Sequence, residues 1–500
     1  MKQGDDIAAL AKGGRTNVFG FFLRLLARLP FLFIAGRLYG PETVGRFALA
    51  VVVVELAALL ATLGLKRGLA QALANTDRPH THVVWDGMAV AFVVSMLASA
   101  ALFAFPQVMY PNSQVSGLEG LLPVIVFAIA WSDVSLAALA YRHNIKATVT
   151  ARAVVEPWTI SIAAWALYYV TARDGLFIAY VLSMAAALIA SLIPFIKSYG
   201  LPRGWSPRIT PLMQLARRNM PLAGADAIEW GTRNIDRFIL GLLFPPAIVG
   251  IYFMAQQVSS LPQKLKTSFD PVLGPVIARN LAAGNKTAIA HQVKQVGFWI
   301  ITAQAGLLLM GGIPAEGVMG VVGPAFVVGA GALCFLLAAE VLASPGAVAE
   351  AGLVYMARHR NLMVSMLLLG FQAALSFALV FLMRDLGWSI HVQAAGPAVA
   401  LALTVALGST IKCWMLARIT KASVFSLRPG FIAAIVIAGL VGGAFTLLPD
   451  QLEWVEMIIG IPATLIVYLA VIGKWAFGPE DRALFKRMPR ETPTLPDEKV

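Results

Sequence analysis

Charge is scarce in this chain of 500 residues: 13% of it is charged, against 59% hydrophobic. That balance excludes the set of soluble domains the length alone would allow. The longest polar stretch, from Gly478 onward, is too short to fold by itself. Only two cysteines occur, Cys334 and Cys413, each inside an apolar run. They offer no disulfide framework and no metal spacing, so each is expected to be a buried small hydrophobe. Catalytic signatures are missing as well. There is no HExxH, Walker loop or GxSxG sequence, and the His residues show no metal spacing. No enzyme activity, cofactor or metal is expected.

Long apolar runs are what the chain has instead. A segment such as "FALAVVVVELAALLATLGL" is long enough as a helix to cross the ~30 Å hydrocarbon layer. Taken in order, the runs predict an all-α polytopic membrane protein of about fourteen spans, from 18–38 to 456–477, with 44–64, 153–172, 219–244 and 325–348 among them. The polar, basic start leads into a run far longer than a signal peptide, which predicts an uncleaved first helix. The net charge of +13 is topological rather than a sign of nucleic acid. Most Lys and Arg residues fall in the two tails and the even-numbered loops, whereas Arg37, Arg46, Arg173 and Arg384 are the four in or bordering odd-numbered loops. By the positive-inside rule both termini face the cytoplasm, and the chain is a multi-pass protein of the inner membrane.

The sequence also repeats itself. "GRLYGPETVGRFALA" from Gly36 and "GLLFPPAIVGIYFMA" from Gly241 share Gly36/Gly241, Leu38/Leu243, Pro41/Pro246, Val44/Val249, Gly45/Gly250 and Ala50/Ala255. At the same offset Arg28, Phe33 and Ile34 match Arg233, Phe238 and Ile239. The offset spans six crossings, so the second copy keeps the orientation of the first. Parallel six-helix lobes related by a pseudo-twofold axis are expected, with a cavity between them. The boundaries predicted are 1–200 and 201–418 for the lobes, 419–477 for helices 13 and 14, and 478–500 for a cytoplasmic tail. Gly36, Gly40, Pro41 and Gly45 read either as a hinge that lets a lobe move as a body or as a plain hairpin turn.

The arginine-bearing first helix, "LYGPETVGRFALA", "LLATLGLKRGLAQ" and "NIDRFILGLLFPPAIVGIYFMAQQVSSLP" together resemble one family. It is the polysaccharide-transporter branch of the multidrug/oligosaccharidyl-lipid/polysaccharide exporter superfamily, which includes the Wzx-type flippases. The resemblance covers essentially the whole chain. It implies alternating-access export of an undecaprenyl-diphosphate-linked sugar unit, for O-antigen, capsule or exopolysaccharide, through a central cationic cavity. The partners implied are that lipid-linked oligosaccharide, the membrane lipids, and a polysaccharide polymerase and glycosyltransferases.

Ionised groups inside spans cost about 2.5–3.5 kcal/mol each on insertion scales and need a reason. Arg24 and Arg28 share a helical face, with no acid in their helix, as a site for a lipid diphosphate would. Snorkelling to headgroups is the alternative, easier for Arg24 than for Arg28. In the seventh span Asp226, Glu229, Arg233, Asp236 and Arg237 recur with helical spacing. Arg233 and Arg237 are candidate substrate ligands or structural pairs, and Glu229–Arg233 has the order of an ion pair. Asp226, Glu229, Asp236, Asp133 and Glu55 are candidates for ion coupling or a polar cavity lining. Glu156-Pro157 predicts a helix start, and Glu340 precedes an expected break at Pro345-Gly346. Two other functions compete with the flippase. A cation-coupled drug antiporter of the same fold would be opposed by the arginines. A membrane-embedded glycosyltransferase or polymerase would need a larger outer loop.

Overall fold

The computed structural model describes residues 29–111, 117–266, 270–425, 427–449, 455–478 and 481. Arg24, Arg28 and most of the tail therefore lie outside the described residues. Among those described there is no strand. The first half contains α1 (Gly40–Ala61), α2 (Leu65–Ala74), α3 (His80–Ala104), α4 (Val124–Tyr141), α5 (Glu156–Tyr168) and α6 (Gly175–Tyr199). The second contains α7 (Ile209–Leu243), α8 (Pro246–Lys266), α9 (Asp270–Ala282), α10 (Lys286–Gly312), α11 (Ala315–Val322), α12 (Ala330–Met356), α13 (Arg358–Asp385) and α14 (Ile390–Thr420). Then come α15 (Pro429–Phe445) and α16 (Ile461–Val471). Among the described residues nine helical stretches are long and apolar enough to cross a membrane. The 35-residue α7 is absent from those nine because five charges from Asp226 to Arg237 dilute its hydropathy.

The repeated motif explains how the halves meet. Gly40 takes a left-handed φ of 75°, and Pro41 then opens α1 with no amide to satisfy. In the other copy Phe244 is extended and Pro246 opens α8. The two openings cross, and their glycines face each other. A β-carbon on Gly45 would collide with the Pro246 carbonyl and lie 2.9 Å from the Gly250 nitrogen. One on Gly250 would collide with the Pro41 carbonyl and lie 2.8 Å from the Gly45 nitrogen. Equivalent residues contact reciprocally, as a twofold between repeats requires. Backbones this close are possible only without side chains, the logic of small-residue packing between membrane helices. The first copy makes further ties: Gly36 abuts Val322, and the Arg37 guanidinium donates to the carbonyls of Val321 (3.2 Å) and Gly320 (3.4 Å).

At this clasped end one apolar core runs through both halves, from Leu32 and Val44 to Leu333 and Ala398. Toward the opposite end the core divides. One cluster belongs to the first half and the start of α7, around Leu65, Met88, Leu139 and Leu215. Another joins α10, α12 and α14 to the last two helices, around Phe298, Leu353 and Tyr468. Those last helices are pinned by the Tyr468 hydroxyl on the Thr302 carbonyl (2.7 Å) and by buried Asp481. Its carboxylate accepts from Trp299 Nε1 (2.8 Å) and Arg428 Nη1 (2.6 Å).

Two local expectations need adjustment. Glu156-Pro157 opens α5, but α5 does not begin from a loop: the chain is already helical from Ile145, and a π turn over Thr150–Val155 leads into it. The wider turn absorbs the amide that proline lacks. Nor does the chain break at Pro345, which lies inside continuous α12. Ser409 of α14 repairs the gap, its hydroxyl donating to the Leu342 carbonyl (2.6 Å) and accepting from the Gly346 amide (3.2 Å). Of the cysteines, Cys413 is buried, but Cys334 is partly exposed and its thiol donates to the Gly312 carbonyl (3.0 Å).

Gly45→Ala and Gly250→Ala should each lower stability by about 1–3 kcal/mol, the usual cost of overpacking. Because either one opens the same contact, the double variant should cost clearly less than the two singles added. Thermal unfolding of the purified protein in detergent measures both effects.

Candidate functional site

Charged side chains from both halves converge beneath the clasp. The approach begins at α2, where Gly64 adopts a left-handed φ of 74°. A β-carbon there would come within 2.7 Å of the Ala223 nitrogen, and one on Gly68 would strike Asn219. The two glycines let α2 lie against α7, and Arg67 between them reaches across. Its Nε stands 3.0 Å from Asp226 Oδ1, and its Nη2 donates to Glu229 Oε2 at 2.7 Å. The other oxygen of Glu229 accepts from Arg233 Nη2 at 3.0 Å. One first-half guanidinium thus holds two second-half carboxylates. Asp226 is buried, whereas Arg67, Glu229 and Arg233 are each about half exposed.

A second chain of pairs continues inside the first half. Lys66 Nζ lies 3.5 Å from Asp133 Oδ2, and Arg152 Nη2 donates to Asp133 Oδ1 at 2.5 Å. Arg152 Nη1 reaches Glu156 Oε2 at 3.0 Å, one turn along the same helix. The π turn that carries Arg152 sets this geometry.

Asp236 leaves the stripe that its spacing suggested. It is fully buried against α8 and accepts from the Tyr252 hydroxyl (2.6 Å), Gln256 Nε2 (3.2 Å) and the Arg237 amide (2.9 Å). Its role there is to join α7 to α8. Arg237 is also buried. Its guanidinium donates to Asn234 and sits 5.4 Å from the centre of the Phe253 ring, a cation–π distance. Glu55 accepts from the Tyr180 hydroxyl at 3.3 Å. Lys412, near the end of α14, pairs with Glu350 at 2.8 Å.

Of the predicted site residues, Asp226, Glu229 and Arg233 form one network, Glu55 and Arg237 line one cavity, and Asp133 belongs to the first-half chain. Three participants were missed. Lys66, Arg67 and Arg152 lay in even-numbered loops, where topology alone accounts for positive charge. The glycines flanking Lys66-Arg67 are the one sequence signal that α2 packs closely enough to bring them in. Setting aside the Lys412–Glu350 pair, the charges described above are six acids, Glu55, Asp133, Glu156, Asp226, Glu229 and Asp236, and five bases, Lys66, Arg67, Arg152, Arg233 and Arg237. No group of three or more metal-ligating side chains occurs among the described residues.

Two helical halves clasped at one end, with apolar helices long enough to cross a membrane and a charged junction between them, define an all-α polytopic membrane protein. A family model described as polysaccharide biosynthesis protein matches residues 34–300, more than half of the chain. The chain belongs to that family. No curated protein matches it. Among solved structures it is similar to the lipid II flippase MurJ in an inward closed conformation, with TM-score 0.68 and 12% identity over 92% of this chain and 98% of that one. It is also similar to a multidrug resistance MATE family transporter of the MOP superfamily in an inward-facing conformation. There the TM-score is 0.64 at 15% identity, over 81% and 96% of the two chains. An outward-facing MATE transporter aligns with TM-score 0.53 at 12% identity, over 84% and 98%. At these identities the likeness concerns the fold.

Arg67→Ala should cost about 1–2 kcal/mol, since the pair is half exposed yet leaves the buried Asp226 carboxylate without its cation. Adding Asp226→Asn should return part of that loss. A double-mutant cycle on detergent melting curves checks it, and strictly additive losses would rule out the coupling.

Proposed function

We propose that the protein is a flippase. It exports an undecaprenyl-diphosphate-linked oligosaccharide, a repeat unit of O-antigen, capsule or exopolysaccharide, across the inner membrane by alternating access between its two halves. The observation that carries this is the reciprocal Gly45–Gly250 clasp, which joins the halves at one end while their cores divide toward the other. By the positive-inside rule the clasped end faces outward and both termini face the cytoplasm. The state described is thus sealed outward, and the better alignment to inward-type structures supports that orientation. The halves take the boundaries 1–200 and 201–418, with 419–477 as an appendage and 478–500 as a cytoplasmic tail.

Charge balance assigns the roles. Counting Asp236, which is buried apart from the network, the site's charges include one more acid than base, so they offer a diphosphate no surplus of positive charge. Arg24 and Arg28, outside the described residues, would turn that count into a surplus of one positive charge. They are therefore the primary ligands of the lipid diphosphate, offering forked donors to its oxygens. Arg233 and Arg237 act second, because each already has a partner. Asp226 is the candidate coupling carboxylate, with Glu229, Asp133, Asp236 and Glu55 as its polar surroundings. Two negative charges leaving a negative interior gain roughly 4–5 kcal/mol per 100 mV, enough to bias transport outward. Protein partners on this view are the glycosyltransferases that make the lipid-linked unit and the polymerase that receives it. The protein moves its cargo without altering a bond.

A cation-coupled antiporter is the second possibility, favoured by the acid excess among the described charges; the two arginines of the first helix oppose it. Deleting the gene separates the two. Lipid-linked units should accumulate on the cytoplasmic leaflet, whereas an unchanged distribution with altered drug sensitivity would establish the antiporter.

Arg28→Ala should abolish export at normal protein levels, and Arg28→Lys should keep part of it, since charge survives without the fork. Normal export by Arg28→Ala would refute the cationic site. For orientation, reporter fusions after Asp77 and Ser206 should be cytoplasmic, and those after Asn112 and Asp450 external.

A further inference from the structure

Directly beneath the clasp lies a cavity of about 140 Å³ between the halves. That is close to the roughly 150 Å³ that holds one benzene-sized ring in an engineered protein cavity. It therefore fits a single six-membered ring rather than a chain of them. Phe47 of α1 and Phe253 of α8 form its aromatic wall, their rings 6.4 Å apart across the junction of the halves. Tyr180 extends that wall, its ring 5.4 Å from Phe47. The polar lining is Glu55, Glu156, Arg237, Ser183, Gln257 and Ser260.

The lining selects among ligands by chemistry. A diphosphate or a lipophilic cation needs a surplus of opposite charge. Here the lining carries Glu55, Glu156 and Arg237, and Glu156 is already held by Arg152 from outside the pocket, so neither sign is left in large surplus. A polyprenyl tail would fit the aromatic wall but would strip water from Glu55 and Arg237 without replacing its hydrogen bonds, a large cost. What satisfies both surfaces is a neutral disc with an apolar face and a hydroxylated rim. A pyranose ring is such a disc, with C–H bonds on its face and hydroxyls around its edge.

We propose that this pocket takes one neutral sugar ring of the cargo, its C–H face on Phe47 and Phe253 and its hydroxyls on Glu55, Gln257 and Ser260. The assignment rests on the flippase function above and adds a sugar-reading subsite to it. A ring placed here would meet Phe31, which follows Arg28 by three positions in the sequence. It also touches both halves at once, two residues beyond Gly45 and three beyond Gly250, so the clasp and the sugar share their supports.

The test measures binding to the purified full-length protein. The probes are undecaprenyl diphosphate, its glucosyl, galactosyl and N-acetylglucosaminyl derivatives, and ethidium. At least one glycosylated lipid should bind about ten-fold or more tightly than the bare diphosphate, the order expected of one ring contact plus its hydrogen bonds. Phe253→Leu and Gln257→Ala should each erase most of that increment. Gln257 is only partly buried, so its variant keeps the test informative if Phe253→Leu fails to fold. Equal affinity for all four lipids would overturn the sugar subsite and leave the flippase function standing. Failure to bind any of the four would overturn both. Ethidium binding that Phe253→Leu removes, uncontested by the lipids, would make the pocket a site for apolar cations instead.

Discussion

The close approach of two backbones at Gly45 and Gly250 is the constraint on which the rest of this structure depends. Each glycine lies where the other copy's proline carbonyl would collide with a β-carbon. Contacts of that kind are van der Waals in nature, dry and steep with distance, so they hold fully or release fully. They bring α1 and α8 together over their first turns. That crossing sets the depth of the cavity and aligns Phe47 with Phe253. It also continues one apolar core across both halves at a single end. The remaining glycine contact of the first copy, Gly36 on Val322, widens the seal.

Beneath the clasp the halves are joined by charge instead. Arg67 crosses to Asp226 and Glu229, and Glu229 also holds Arg233. Ion pairs of this exposure are weak when water can reach them. In a membrane, however, none of the partners can be abandoned without another, because an isolated ion in hydrocarbon is costly. A junction built this way resists separation until water or an anion replaces the lost partner. The halves are thus held by a packed glycine contact at one end and by ion pairs toward the other.

Membership of the polysaccharide biosynthesis family and the fold shared with those solved structures set the frame around this junction. The same fold is recorded for a drug transporter and for a lipid II flippase, so the architecture leaves cargo open. Cargo is decided by the side chains that face the cavity. Here these are an aromatic pair spanning both halves and a polar lining of Glu55, Glu156 and Arg237, with Glu156 paired to Arg152 behind it.

The membrane class, the helical architecture and the duplicated motif were legible in the chain itself. Apolar runs, charge bias and spacing are local properties, and a bilayer enforces them whatever the packing. The predicted span 219–244 falls on observed α7 up to Leu243, where the helix ends one residue earlier. The Glu229–Arg233 pair is equally local, four residues apart on one helix. Partners across elements were not legible. Lys66, Arg67 and Arg152 look like topological charges in sequence, and only the packing of α2 on α7 and the π turn before α5 carry them into the junction. Asp236 shares a stripe with Glu229 by spacing, yet packing against Tyr252 removes it from the network. Pro345 reads as a break because the hydroxyl that mends it belongs to Ser409, far along the chain. A repeat announces that two motifs are equivalent. Only the tertiary structure determines that they touch, because contact depends on distances between helices that no periodicity within a helix encodes.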